Sequence, residues 1–253
     1  RGFVVTAQAR DSATMARIAD QGLFVPYEEK AQAGLRLFDA SGAPLYGARY
    51  PLRTYANFDA VPPVVADALT FIEDRSLLDA AEPYLNPAIN WKRFSLAVID
   101  LALKHVLHHH AMPGGSTLAT QIEKYRHSPG GRTVNPSEKL RQMVSAALRA
   151  YLGGERTLPA RRRIVVAYLN TEPLGAQPGI GEIEGIGDGL VAWYGRDFDE
   201  ANHLLAALDT DARGQTGAPV TGGLTNEALA FKQVLSLLIA QRAPSYFLTR
   251  NNA

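Results

Sequence analysis

Glu73 and Asp74 stand directly behind the apolar-rich run Asp67-Ala68-Leu69-Thr70-Phe71-Ile72. A carboxylate delivered against apolar side chains loses hydration, which disfavours its charged form and raises its pKa toward the range useful for general acid or base work. The plainer reading of the same spacing is a helix terminus at the surface, with Arg75 neutralising Asp74, since adjacent acids near basic residues are mostly solvated. A second group is Gly114-Gly115-Ser116-Thr117-Leu118-Ala119-Thr120-Gln121-Ile122-Glu123-Lys124-Tyr125. Free N–H groups at a helix N-terminus suit phosphate or pyrophosphate. Gln121 and Lys124 fall near one helical face, with Ser116 and Thr117 a turn or more below. On its own, Gly-Gly-Ser-Thr equally describes a capped helix after a loop.

Positive charge gathers in mid-chain at Arg132, Lys139, Arg141, Arg149, Arg156 and Arg161 to Arg163. Such local concentration suits a polyanionic head group better than a duplex, and the alternative is a solvated helix face. His108-His109-His110 invites a metal, but successive helical residues do not face one site, so exposed histidines beside a loop fit better. The chain has no cysteine, which removes disulfides, thiolate nucleophiles and Cys-ligated zinc.

The elements that must position these residues are mostly helical. Val64, Val65, Ala68, Leu69 and Ile72 recur at helical spacing after Pro62-Pro63, and proline suits a helix start. Further helices are expected at Trp91–Leu107, from Leu118 to Tyr125, from Pro136 to Leu152, from Arg161 to Leu169, and near 200–208 and 226–242. Residues 34–46 read as a hairpin about the turn Asp39-Ala40-Ser41-Gly42, preceded by a short helix around Ser12–Asp20. A Gly-rich stretch runs from Gly175 to Gly189. The expected total is about seven helices and one hairpin.

With 253 residues, 26 Lys+Arg against 25 Asp+Glu and a net charge of +1, no global field draws the chain to nucleic acid. The length suits one large domain or two small lobes. No apolar run is long enough to span a bilayer. The first residue is Arg, with no signal-type apolar segment, so an excised piece of a longer chain is expected, with any anchor outside it.

In order along the chain, these segments resemble the peptidoglycan glycosyltransferase domain of class A penicillin-binding proteins and monofunctional transglycosylases, glycosyltransferase family 51. Val61 to Arg75 resembles the first family motif, with its Pro-Pro lead-in and Glu-Asp pair, and Ala88-Ile89-Asn90-Trp91 the Gly-Ile-Asp-Trp that follows. Gly114 to Lys124 matches Gly-Gly-Ser-Thr-x-x-x-Gln-x-x-Lys, and Arg132-Thr133-Val134 the Arg-Thr-Leu behind it. Tyr168-Leu169-Asn170 with Gly175, then Gly185-Ile186 through Trp193-Tyr194-Gly195-Arg196, resembles the remaining motifs. The likeness runs from about residue 35 to 210 and leaves the tail unassigned.

The resemblance implies a mainly α, lysozyme-like helical globule with a small β-hairpin segment and a membrane-facing jaw. Residues 1–60 would form an N-terminal segment with the hairpin, 61–210 the catalytic domain with its jaw at about 78–113, and 211–253 a helical extension of the same globule. It places the domain at the outer, periplasmic face of the bacterial cytoplasmic membrane, polymerising lipid II or another polyprenyl-pyrophosphate-linked sugar into glycan strands. Glu73 would be the base on the acceptor 4-hydroxyl, with Asp74 beside it. Ser116, Thr117, Gln121, Lys124, Arg132 and Lys139 would bind substrate, above all its pyrophosphate. Trp91–Leu107 would touch the membrane surface. Mg²⁺ or Mn²⁺ is the one cofactor the resemblance admits, no organic cofactor is implied, and other envelope proteins are further partners it allows.

Departures from the family pattern stand beside these matches. Ala80 replaces a His, Leu77 a Phe, Thr120 a Gln and Tyr125 an Asn. In the family's Arg-Lys-x-x-Glu motif this chain has Glu138, Lys139 and Gln142, so the second catalytic carboxylate position holds an amide. A slip of one turn would bring Glu138 there instead. Three functions stay open at this level. An active glycosyltransferase is favoured by Glu73-Asp74, a degenerate domain that binds lipid-linked precursor or an envelope partner is favoured by Gln142, and a soluble lysozyme-like hydrolase is disfavoured by the pyrophosphate-type loop.

Overall fold

The computed structural model describes residues 12–24, 34–49, 53–90, 116–128, 131, 133–214 and 224–249. Helix α1 (Ala13–Asp20) starts where Ser12 accepts a hydrogen bond from the Met15 N–H. Strands β1 (Gly34–Phe38) and β2 (Pro44–Arg49) form the expected antiparallel hairpin, with Leu37 opposite Tyr46. Its turn is tied by Asp39 Oδ1, which accepts from the N–H groups of Ser41 and Ala43 at 2.8 and 2.9 Å.

The rest is mainly helical, as expected: α2 (Pro63–Glu73), α3 (Leu118–His127), α4 (Pro136–Tyr151), α5 (Leu158–Thr171), α6 (Gly185–Tyr194), α7 (Phe198–Gly214) and α8 (Asn226–Ala240). Apolar stripes on these helices meet in one core built from Val65 and Leu69 of α2, Ile122 of α3, Val165 and Leu169 of α5, Ile186 and Leu190 of α6, Leu205 of α7, and Val234 and Leu237 of α8. α2 packs on α7 and α8, and α3 packs on α4 and α5. The tail that the motifs left unassigned therefore supplies core.

Two features were not foreseen. The Gly-rich stretch contains a second antiparallel hairpin, β3 (Pro173–Gln177) with β4 (Gly181–Glu184), inserted between α5 and α6. Glycine is needed where α6 crosses the chain at residues 53–55: a Cβ on Gly187 would stand 2.0 Å from the Arg53 carbonyl oxygen. Asn170 holds the same crossing, accepting from the Tyr55 N–H and donating to the Tyr55 carbonyl, each at 2.9 Å. Its side-chain amide thus pairs with the backbone as a neighbouring strand would.

The second is Arg161, grouped by its sequence neighbours with a basic cluster. It is fully buried on α5 and donates to the carbonyls of Leu77, Asp79 and Glu82 at 2.8, 3.0 and 2.7 Å. Arg162 and Arg163 remain exposed, because a helix turns about 100° per residue and only one of three successive side chains can face the core. Just before Arg161, Thr157 donates from its hydroxyl to the Leu85 carbonyl at 2.6 Å and from its N–H to the Pro83 carbonyl at 2.9 Å. The irregular chain leaving α2 is therefore clamped onto α5, which fixes the end of α2 where Glu73 sits. Trp91–Leu107, His108 to His110 and Arg132 lie outside the described residues.

Replacing Arg161 with Met keeps the aliphatic stem but strands three carbonyls, and is expected to cost about 3 kcal/mol or more. Urea unfolding measures the loss, and a midpoint equal to that of the wild type contradicts the clamp.

Candidate active site

Glu73 is the last residue of α2 and only 8% exposed. The apolar periodicity of α2 turns this position inward, next to Leu69 and Thr70 of the buried face. Its carboxylate meets three donors: Gln121 Nε2 to Oε2 at 3.0 Å, and Gln241 Nε2 and Arg242 Nη2 to Oε1, each at 3.4 Å. A buried carboxylate needs donors in place of the lost water, and this one has three. The helix-terminus reading of the Glu-Asp pair put it at the end of α2, as found, but at the surface, where Glu73 is not, and with Arg75 as the partner of Asp74. Arg75 lies over the Phe71 ring, 4.0 Å from its centroid. Asp74 instead accepts from the Ser76 N–H and hydroxyl at 3.0 and 2.7 Å, and Asn90 Nδ2 lies 3.4 Å from its second oxygen. It shapes the turn that follows α2, with both oxygens engaged.

Helix α3 supplies the facing wall. Thr117 and Thr120 form a reciprocal cap: Thr120 Oγ1 accepts from the Thr117 N–H at 2.9 Å and Thr117 Oγ1 from the Thr120 N–H at 3.3 Å. The Thr at position 120, a departure from the family motif, thus closes the helix start, and the Thr117 hydroxyl is engaged in that cap. One turn on, Gln121 bonds Glu73 while its carbonyl oxygen lies 3.1 Å from the Tyr125 hydroxyl and 3.4 Å from that of Tyr168. The Tyr125 hydroxyl also lies 3.0 Å from Gln241 Oε1, so one phenolic proton serves two amide oxygens. Both phenols are pushed up in pKa, above all by burial.

Beyond Glu73 the cations begin. Lys124 is held below the usual lysine range by desolvation, with the negative charge of Glu73 acting the other way. Lys139, on α4, is lowered by desolvation and then by the positive charge of Lys124. Its Nζ donates to Ser116 Oγ at 2.5 Å. A buried carboxylate, two mutually repelling lysines and a hydroxyl thus stand in one electrostatic neighbourhood. Two half-desolvated cations favour an incoming anion, because it relieves both their repulsion and their lost hydration.

Gln142 is fully buried in a different network. Thr133 donates to its Oε1 at 3.1 Å, and its Nε2 donates to Ser128 Oγ at 2.9 Å. Ser128 in turn donates to Glu138, whose other oxygen accepts from the Val134 N–H at 2.9 Å. The serine bond and then this backbone bond hold Glu138 below the usual carboxylate range. Ser128 needs the proton that an amide at position 142 gives; a carboxylate there would offer none and would stand beside anionic Glu138. Among the described residues no group of three or more His, Asp or Glu side chains is placed to hold a metal ion, and both ends of the Gln142 amide are engaged.

The structure thus brings Glu73, Gln121, Lys124, Lys139 and Ser116 into one neighbourhood and engages Asp74, Thr117 and Gln142 in local networks. The sequence reasoning missed Gln241 and Arg242, for which neither spacing nor motif gave a signal. It also missed Glu172, although this acid follows an apolar helix just as Glu73 does.

Comparison with curated proteins finds no match. A family model described as transglycosylase matches residues 42–253. Since that match covers well over half of the chain and extends through the tail that supplies Gln241, this protein belongs to the transglycosylase family of the glycosyltransferase 51 type, whose general activity is peptidoglycan glycan transfer in the cell envelope.

Proposed function

We propose that this chain extends glycan strands from a polyprenyl-pyrophosphate-linked sugar such as lipid II, with Glu73 as the general base. The observation that carries this reading is the buried carboxylate of Glu73, bonded by Gln121 at 3.0 Å and electrostatically coupled to Lys124. Glu73 takes the proton of the acceptor 4-hydroxyl. The freed oxygen pair forms the bond to the donor anomeric carbon, and that carbon's bond to the pyrophosphate oxygen breaks, the electron pair leaving with the lipid pyrophosphate. Lys124 and Lys139 offset the charge that grows on this leaving group, and Ser116 offers it a hydroxyl through its contact with Lys139. Arg132 belongs to the same group by motif.

One observation favours a second reading, a domain that binds lipid-linked precursor without turning it over. The amide of Gln142 is built into a buried network, so the second carboxylate of the family pattern is not supplied from that position. Glu138, the alternative, is tied to Ser128 and the Val134 N–H.

A membrane surface on the periplasmic side is part of the proposal, through Trp91–Leu107 as an interfacial helix. No helix among the described residues is long and apolar enough to cross a membrane.

Incubation with labelled lipid II separates the two readings. Glu73→Gln is expected to lower polymer formation by about 10²-fold or more while the fold is kept; undiminished turnover means that the base lies elsewhere, and binding without polymer by the wild type selects the second reading. In vesicle flotation the chain is expected to rise with anionic liposomes, and a chain that stays at the bottom of the gradient contradicts the membrane contact.

A further inference from the structure

Glu172 is the acid the mechanism leaves unused. It caps the C-terminus of α5 and opens the path into β3, and its backbone carbonyl accepts from the Gly185 N–H at 2.8 Å. The residue is fully buried, yet neither carboxyl oxygen has a hydrogen-bond partner among the described residues. Its surroundings come from four elements: Tyr55 from the chain before α2, Glu73 from α2, Tyr125 from α3 and Tyr168 from α5, all within electrostatic range of it. Of the nearby cations, Lys124 is coupled to Glu73 and Arg242 bonds to it. Glu73 has its donors, and Glu172 has none.

Two carboxyl groups in one low-dielectric neighbourhood do not both ionise easily, and the proton goes to the member whose anion is less well solvated. We propose that Glu172 and Glu73 are a coupled pair carrying one proton and one negative charge, with Glu172 holding the proton and acting as a positioning residue that keeps Glu73 the anionic member. This rests on the reading of Glu73 as the base. A second anion at Glu172 would repel a negative charge on Glu73. A proton on Glu172 leaves Glu73 free to accept one. Burial first, and the charge of Glu73 second, push the carboxyl of Glu172 well above the usual carboxylate range. Gln121, Tyr125 and Tyr168 form a hydrogen-bonded network that ends on Glu73, and the Glu172 carboxyl oxygens bond to none of these residues, so the pair interacts through space.

Carboxyl-carbon NMR of the chain labelled at glutamate tests the pair without substrate. One glutamate is expected to stay protonated well above about pH 4.3, the midpoint of an unperturbed Glu. That resonance is absent from Glu172→Gln, and in Glu73→Gln its midpoint moves to lower pH because the neighbouring charge is gone. In unfolding experiments the folded protein keeps the Glu172 proton while the unfolded chain loses it, so wild-type stability falls as pH rises through this window. The folding constant of Glu172→Gln relative to wild type should therefore rise about tenfold per pH unit above about pH 4.3, until Glu172 itself ionises in the folded protein. If Glu172→Gln does not fold, the Glu73→Gln titration, made in a chain that keeps Glu172, decides alone. All glutamates titrating near about pH 4.3, or a midpoint unmoved by Glu73→Gln, overturns the proposal. Either result leaves the role of Glu73 in polymer formation standing or falling on its own assay.

Discussion

A buried carboxylate at the end of an apolar helix must be given donors in place of water, and much of this molecule serves that requirement. Glu73 is 8% exposed, and its donors come from two distant stretches of chain, Gln121 on α3 and Gln241 with Arg242 behind α8. Neither stretch reaches Glu73 unless the core closes, because α2 must pack on both α7 and α8, and α3 on α5. The site is therefore a product of the whole fold rather than of one loop. Of the three donors, the Gln121 bond carries the most weight. Arg242 is 60% exposed in its side chain and meets Glu73 at 3.4 Å, and an ion pair open to water contributes little.

The second constraint is the clamp on the chain leaving α2. Arg161 and Thr157 bind carbonyls between Leu77 and Leu85, and Asp74 closes the turn just ahead of them. Together they fix the direction in which Glu73 leaves its helix. Asn170 and Gly187 perform the matching task for the chain at Tyr55, whose ring packs edge-on against Phe198. The motif residues Tyr168 and Asn170 thus act on geometry, and Glu73, Lys124 and Lys139 on charge.

Periodicity was enough to find α2, α3 and α4, because each buries one stripe and starts at a proline or a hydroxyl cap. The β1–β2 hairpin was legible from Asp39 to Gly42, where turn chemistry is local. The β3–β4 hairpin was not, since its strands are short and its glycine-rich stretch reads as loop, although the pairing itself is local, with Gln177 opposite Gly181. Within the site, Glu73, Gln121 and Lys124 were legible because a motif keeps them at fixed spacing. Gln241 had no such marker, and the burial of Arg161 could not be read from three successive arginines of identical chemistry. Gln142 shows the opposite case: an amide at a carboxylate position was visible in the sequence, but its partners Ser128 and Thr133 required the fold.

The central claim is that Glu73 faces the acceptor hydroxyl while Lys124 and Lys139 hold the leaving pyrophosphate. A crystal structure of the chain with an unreactive lipid-linked sugar pyrophosphate and an acceptor glycan measures this directly. The account predicts pyrophosphate oxygens on both lysines and the acceptor 4-hydroxyl within about 2.6–3.2 Å of the Glu73 carboxylate. Pyrophosphate seated on another face, or an acceptor hydroxyl directed at a different side chain while Glu73 keeps only its protein donors, would contradict it.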